Sequence, residues 1–180
     1  ILILDEESAL SKNEKVMIIG VAGTIASGKD TVAQVLKAKG YAHFSTAEAI
    51  REEMRMQNLP LDRISMQDYS ARVRRERGNA YFTEKTLAKI TGQAVVTDMR
   101  HPDEIRALAA TGQFFLITVD APVEERFARA NARGRIGDGE TLAEFQAKEQ
   151  REMTGASGGH NVGQVLTLAD YRIMNDGTLE

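Results

Sequence analysis

Two glycines and a lysine form the pattern in this 180-residue chain that points most directly to chemistry. Gly23, Gly28 and Lys29 have the spacing G-x-x-x-x-G-K. Glycines allow successive backbone amides to turn toward one point, where a Cβ would clash, and such a nest of amides binds anions. A lysine beside the nest can follow the charge of a bound phosphate. The pattern therefore predicts a phosphate-binding loop, and the alternative is a tight turn next to a surface lysine.

The residues around the loop supply the context that this motif requires. An apolar run over residues 16–21 predicts a buried strand before it, and apolar periodicity over 31–39 predicts a helix after it. The helix N-terminus adds a dipole that favours phosphates. We expect ATP to be bound by residues of the loop and of the helix start: Gly23, Thr24, Ala26, Ser27, Gly28, Lys29, Asp30 and Thr31.

The metal-binding position of the motif is altered. A serine or threonine usually follows the lysine and holds Mg²⁺, but Asp30 stands there. Thr31 lies about 100° further around the helix axis, so either Asp30, directly or through water, or Thr31 is expected to contact the metal. Asp98 ends a predicted strand over 93–97, a position that orders Mg²⁺ in phosphate-binding proteins of this kind. A surface pair of Asp98 and Arg100 is the alternative.

The segment over residues 45–53, STAEAIREE, follows a brief predicted strand over 41–44. It resembles the segment of adenylate kinases in which a threonine and a following arginine bind the nucleoside monophosphate. The resemblance implies that Thr46 and Arg51 bind the acceptor, and Arg100, soon after Asp98, resembles a further acceptor arginine. The alternative is a plain helix start with an N-cap at residue 45 or 46 and a capping box completed by Glu48. Both interpretations can hold together.

A second basic run lies on a predicted helix over 62–77, at Arg72, Arg74, Arg75 and Arg77. A solvated helix face is the favoured interpretation. A pocket for an acceptor phosphate or coenzyme A is the second, and RNA contact is the third, because the chain lacks aromatic interleaving and a basic balance.

Arginines also follow the fourth predicted strand, over 113–119. Arg126, Arg129 and Arg133 form one stripe of a predicted helix over 122–133, and Arg135 and a glycine-rich segment over 134–163 come next. The pattern resembles nucleotide kinases, whose lid arginines fall at Arg129 and Arg133. The resemblance implies catalytic roles for these two arginines together with Lys29 and Asp98. A charged helix followed by a loop is the alternative.

Near the C-terminus, a predicted strand over 171–174 leads into a turn with Asn175 and Gly177. In dephospho-CoA kinases a similar turn lies against the base of ATP, so the resemblance implies a cofactor contact by these two residues. A plain Asp-Gly turn is the alternative.

Strands alternating with helices predict a three-layer α/β fold with a five-stranded parallel sheet. Residues 16–180 resemble the P-loop nucleotide kinases, with an acceptor-binding insertion about 45–91 and a helical lid about 134–163. The likeness is greatest to an uncharacterised prokaryotic family of kinases. It implies phosphoryl transfer that depends on ATP and Mg²⁺, with a nucleoside or deoxynucleoside monophosphate as acceptor. A dephospho-CoA kinase-like enzyme and a non-kinase ATP-binding switch are the alternatives; the paired aspartates of the former are replaced by residues 46–48.

Composition fits this interpretation. The net charge of −3 favours a small-molecule partner over nucleic acid or a membrane surface, and there is no cysteine for disulfides or thiol catalysis. We expect residues 1–15 to be a tail, with the segment from Met17 resembling a natural start. We expect a cytoplasmic monomer or homodimer.

Overall fold

The computed structural model describes residues 16–134, 141–155 and 160–177. The strands are β1 Ile18–Gly23, β2 Ala42–Ser45, β3 Ala94–Thr97, β4 Phe114–Asp120 and β5 Tyr171–Met174. The helices are α1 Lys29–Ala38, α2 Thr46–Met56, α3 Arg63–Arg77, α4 Tyr81–Leu87, α5 Pro102–Ala109, α6 Val123–Arg133, α7 Leu142–Thr154 and α8 Val162–Thr167. The predicted tail over 1–15 and Arg135 lie outside the described residues, as do 135–140 and 156–159 of the predicted lid.

The five strands form one parallel sheet in the order β2-β3-β1-β4-β5. The central strand β1 pairs with β3 on one side and with β4 on the other, so that Gly20 lies between Val96 and Leu116. All strands run the same way, and their carboxyl ends therefore meet at one edge of the sheet. The predicted three-layer α/β fold with a five-stranded parallel sheet is confirmed.

Apolar side chains cover both faces of the sheet. Ile18, Val96 and Leu116 pack with Leu108 of α5 and Val165 of α8 on one face. The strand residues that point to the other face pack against α1, in the cluster of Val21, Ala33, Val95 and Val119. Alternate residues of β1 and β3 thus point to opposite layers, as the period of a strand requires. The buried sheet fixes the strand ends that carry the site.

Helices α2, α3 and α4 form a separate packing unit beside β2. Ile50, Met54, Tyr69, Val73 and Phe82 make its core. Predicted helices over 62–77 and 80–90 correspond to α3 and to the shorter α4, which ends at Leu87. Helix α8 was not predicted, because it lies in the glycine-rich part of the sequence. Within the residues that the structure describes, no helix is both long and apolar enough to cross a membrane.

Candidate active site

The loop between β1 and α1 has the backbone that the glycine pattern predicts. Gly28 caps α1 with a φ of 95°, and a Cβ there would lie 2.3 Å from the side chain of Asn175. A Cβ on Gly23 would lie 2.3 Å from the carbonyl oxygen of Val119. No side chain caps α1, so its first-turn amides have no side-chain partner among the described residues. The loop therefore has a backbone that can form a nest for an anion, and this geometry requires both glycines.

Neighbouring strands anchor the loop from behind. The hydroxyl of Thr24 donates to Asp120 at the end of β4, at 2.7 Å, and Asn175 after β5 donates to the carbonyl oxygen of Ser27, at 2.9 Å. Ala26 has a φ of 58°, an uncommon conformation for a residue with a Cβ, and packs with Phe145 of α7. These contacts give predicted cofactor-binding residues Thr24, Ala26 and Asn175 a role in shaping the loop.

The residues predicted to hold the metal differ in position. Lys29 and Asp30 line the cavity in front of the loop and form an ion pair, with Nζ and Oδ1 3.3 Å apart. Thr31 is exposed and is not part of the cavity wall. Of the two alternatives that follow the lysine, Asp30 is therefore the better placed. Gly177 is exposed, with open space around it.

Asp98, just after β3, has a left-handed φ of 66°. Its carboxylate accepts a hydrogen bond from Ser45 at 2.6 Å, and its carbonyl oxygen accepts one from Thr46 at 2.9 Å. Burial alone raises the pKa of Asp98, but the Ser45 hydrogen bond and the charges of Arg100 and Lys29 outweigh it, so the pKa lies below its usual value. Asp98 is thus held as a carboxylate facing Lys29. A strained aspartate held in this way is typical of functional sites.

The acceptor-side arginines of the sequence prediction line the same cavity. Arg51 forms an ion pair with Glu48, with nitrogen and oxygen 3.2 Å apart. The hydroxyl of Thr46 donates a hydrogen bond to the carbonyl oxygen of Asp98. Ser45 is the N-cap of α2, but Glu48 does not complete a capping box and pairs instead with Arg51 and Arg55. All three predicted acceptor residues, Thr46, Arg51 and Arg100, therefore line the cavity, and Thr46 also holds the backbone of Asp98.

Two further residues line the cavity: Arg74, for which a pocket was the second interpretation of its basic run, and His160, which the sequence did not indicate. The solvated interpretation is wrong for Arg74, which is 5% exposed and lies 3.9 Å from the buried carboxylate of Glu104. His160 is 8% exposed. Burial, together with the charges of Arg100, Arg74 and Arg63, lowers the pKa of His160 to about 3, so the imidazole is neutral at pH 7. The other three arginines of the run, Arg72, Arg75 and Arg77, are exposed, as predicted.

The three arginines of the α6 stripe have different environments. Arg126 is buried and forms an ion pair with Glu149 of α7, so it links helices and does not face the cavity. Arg129 donates to the carbonyl oxygen of Asn175 at 3.0 Å, beside the loop, and its Nη1 has no hydrogen-bond partner among the described residues. Arg133 lines the cavity. Of the two predicted lid arginines, only Arg133 therefore borders the cavity in this structure.

One cavity of about 880 Å³ joins the loop to the acceptor side, a volume within the range of small-molecule sites. Among the described residues, no group of three or more His, Asp or Glu side chains is arranged to hold a metal ion. Mg²⁺ commonly takes only one or two carboxylates together with phosphate oxygens. Asp30 and Asp98, both on the cavity wall, fit that requirement, and the loop amides with Lys29 fit a triphosphate.

Solved structures with this fold include small-molecule kinases. The chain matches shikimate kinase from Bacteroides thetaiotaomicron with a TM-score of 0.58 and 14% identity, over 91% of this chain and 89% of that one. It matches shikimate kinase from Aquifex aeolicus with a TM-score of 0.50 and 16% identity, over 90% and 88%. The fold is that of the P-loop kinases, as the sequence predicts.

Curated relatives define the family more closely. A UPF0200 protein of Pyrococcus abyssi is 31% identical over 173 residues, which cover 91% of this chain and 90% of the relative. A UPF0200 protein of Pyrobaculum aerophilum is 31% identical over 162 residues, which cover 88% and 87%. The chain belongs to the UPF0200 family. No protein-family model matches it.

Proposed function

We propose that this protein transfers a phosphoryl group from ATP, with Mg²⁺, to a small acceptor that carries a phosphate group. The observation that carries the proposal is the continuity of the cavity. Its wall includes Lys29 of the loop and Asp98 after β3 together with two further cations, Arg51 and Arg100. A protein that only bound and hydrolysed ATP would not need the second set of cations.

The donor side is formed by the loop amides, Lys29 and the carboxylates of Asp30 and Asp98. ATP with Mg²⁺ supplies the transferable group and neutralises part of its charge. Lys29 places one positive charge next to the phosphate nest, and Ser45 keeps Asp98 oriented and ionised. The left-handed backbone at Asp98 directs it to this position. Positioning and electrostatics of this kind carry most of the rate in phosphoryl transfer.

The acceptor side is formed by Arg51 and Arg100. A guanidinium presents several donors in a plane and suits a phosphate group better than an ammonium does. Arg100 is held in place by its own backbone, since its amide donates to Glu104 at 2.6 Å and its carbonyl oxygen accepts from Asn161 at 2.7 Å. Arg51 lies on α2, one of the three helices that pack as a separate unit.

The part of the lid that the structure describes places Arg133 of α6 and Lys148 of α7 on the cavity wall. Cations on these helices would add positive charge around the transferring group and exclude water as the lid closes. Arg129 would act from the side of the loop, where it contacts Asn175. In this proposal Arg133 would contact the transferring group from the cavity wall, and Arg129 would act from beside the loop.

Nucleoside and deoxynucleoside monophosphates are the first acceptors to test, because the segment over residues 45–53 resembles that of adenylate kinases. A dephospho-CoA kinase-like acceptor is the second class. The experiment is a screen of ADP formation from ATP and Mg²⁺ against a panel of nucleoside monophosphates and dephospho-CoA. A rate well above the acceptor-free rate with one compound supports the proposal.

Lys29→Ala is the matched test of the donor side. We expect turnover to fall on the order of 10²-fold or more, because the charge next to the transferring phosphoryl group is lost. Lys37→Ala, on the exposed part of the same helix, is the control and should keep wild-type turnover. Near-full activity of Lys29→Ala would refute the assignment.

The ATP-binding switch is tested by changing both Arg51 and Arg100 to glutamine. If the protein is a kinase, the double variant should lose phosphoryl transfer to the acceptor. If it is a switch, the double variant should hydrolyse ATP at the slow rate of the wild-type protein. Hydrolysis as the sole activity of the wild-type protein across the panel would favour the switch.

A further inference from the structure

A group of basic side chains from three segments lies on the cavity wall. Arg74 comes from α3, Arg100 follows β3, and His160 precedes α8. The amide of Asn161, next to His160, donates to the carbonyl oxygen of Arg100 at 2.7 Å, so the β3–α5 and α8 segments are tied together at this point. Arg100 and His160 are therefore held next to each other.

The carboxylates nearest to Arg74 and Arg100 do not accept hydrogen bonds from their guanidinium groups. Arg74 is 3.9 Å from Glu104, and Arg100 is 3.6 Å from Glu152, distances beyond a hydrogen bond. Glu104 is already taken, because it accepts from the amides of Arg100 and His101 and from a threonine hydroxyl. Both guanidinium groups thus keep donors for another anion.

Two buried nitrogens of the cluster are unpaired. Arg74 Nε and His160 Nδ1 have no hydrogen-bond partner within the described residues, and both residues are more than nine-tenths buried. The Nε of an arginine always carries a proton, so at least one of them is a donor without an acceptor. Leaving such a donor unpaired in a protein interior is costly. Both nitrogens have almost no exposed surface, so an anion in the cavity would approach Arg74 at its terminal nitrogens rather than at Nε.

We propose that Arg74 and His160, together with Arg100, form an anion subsite for a second charged group of the acceptor, in addition to the group held by Arg51. The inference rests on the proposed function, since it assumes that the acceptor fills the cavity beyond the loop. The ligand chemistry is a phosphate or a carboxylate bound by charge-assisted hydrogen bonds. The acceptor class is then a nucleotide-like molecule with two separated anionic groups, which a plain nucleoside monophosphate lacks.

The test uses the full chain with Mg²⁺ and saturating β,γ-methylene-ATP, so that the loop is filled. Inorganic phosphate is titrated in one arm and acetate in another, while the ring ¹⁵N resonances of the three histidines are followed. We expect a saturable shift of the His160 resonances, and the arm with the tighter binding identifies phosphate or carboxylate. Arg74→Gln should weaken this binding about 10-fold or more, and exposed Arg75→Gln should leave it unchanged.

Arg51→Gln separates the two acceptor positions, because it should leave the His160 shift intact. No His160 shift in the wild-type protein, or a shift unaffected by Arg74→Gln, would overturn the subsite. If Arg74→Gln does not fold, His160→Gln is titrated by calorimetry, and unchanged phosphate binding there would overturn it too. Failure of the ATP analogue to bind refutes the proposed function instead, and phosphate titration of the nucleotide-free protein then decides the subsite alone.

Discussion

His160→Gln should make folding less sensitive to acid. The imidazole faces Arg63 and Arg74 of α3 and Arg100 after β3, and Glu152 of α7 lines the same cavity. Its pKa is 6.5 in the unfolded chain and about 3 in the folded one. Between these values the unfolded chain binds more protons, so the free energy of unfolding decreases as the pH falls through this window.

The size of the effect follows from the width of the window. One bound proton changes the free energy of unfolding by about 1.4 kcal/mol per pH unit. Between pH 7 and pH 5 the titration of His160 should therefore cost the wild-type protein about 2 kcal/mol. Glutamine does not titrate, so the variant should lose less by that amount over the same interval, whatever its stability at pH 7.

Urea denaturation of both proteins at pH 7 and pH 5 measures the difference directly. Lys37→Gln, at an exposed position of α1, is the control, because it removes no histidine and its acid-dependent loss should match that of the wild-type protein. Equal losses in wild-type protein and His160→Gln would refute the reasoning, since they would mean that His160 is not held neutral among the arginines.

Two further substitutions test how the loop and α7 are held. Gly28→Ala should weaken binding of β,γ-methylene-ATP about 10-fold or more, because the φ of 95° and the 2.3 Å approach to Asn175 both oppose a Cβ; calorimetric binding equal to wild type would contradict this. Glu149→Gln should lower the free energy of unfolding by about 2 kcal/mol, because buried Arg126 loses its paired carboxylate and keeps only that of Asp120, 3.5 Å away. Glu125→Gln, whose partner Arg129 is partly exposed, is its control and should cost less than about 1 kcal/mol, and equal losses in urea denaturation would contradict the assignment.

The loop and the fold could be predicted because their determinants are local in sequence. Gly23 and Gly28 are needed because the backbone of the loop leaves no room for a Cβ. Apolar runs of strand length identify the strands whatever elements pack against them. The same holds for Asp98, which was placed by its position at the end of a strand. The ends of elements were less certain: α1 begins at Lys29 rather than at Thr31, because the glycine before it serves as the cap.

The burial of Arg74, His160 and Arg126 could not be predicted, because the residues that bury them are distant in sequence. Arg74 looks like one member of a solvated run, and only the packing of α3 against the residues around Glu104 buries it. His160 stands in a glycine-rich segment with no periodicity. Arg126 shares a helical stripe with Arg129 and Arg133, yet the position of α7 turns it into a helix-to-helix link. Spacing on one helix shows which side chains share a face, and not what that face meets.

Helix α7 connects the donor and acceptor sides of the cavity. At one end Phe145 is buried against Ala26 of the loop, and Glu149 pairs with Arg126, which also donates to the carbonyl oxygen of Ile25. One turn further on, Glu152 approaches Arg100. A helix that is anchored to the phosphate loop and reaches an acceptor arginine cannot shift without changing both contacts. Filling of the loop and filling of the acceptor side should therefore affect each other through α7, and the size of that coupling is set by how firmly Phe145 and Glu149 hold the helix.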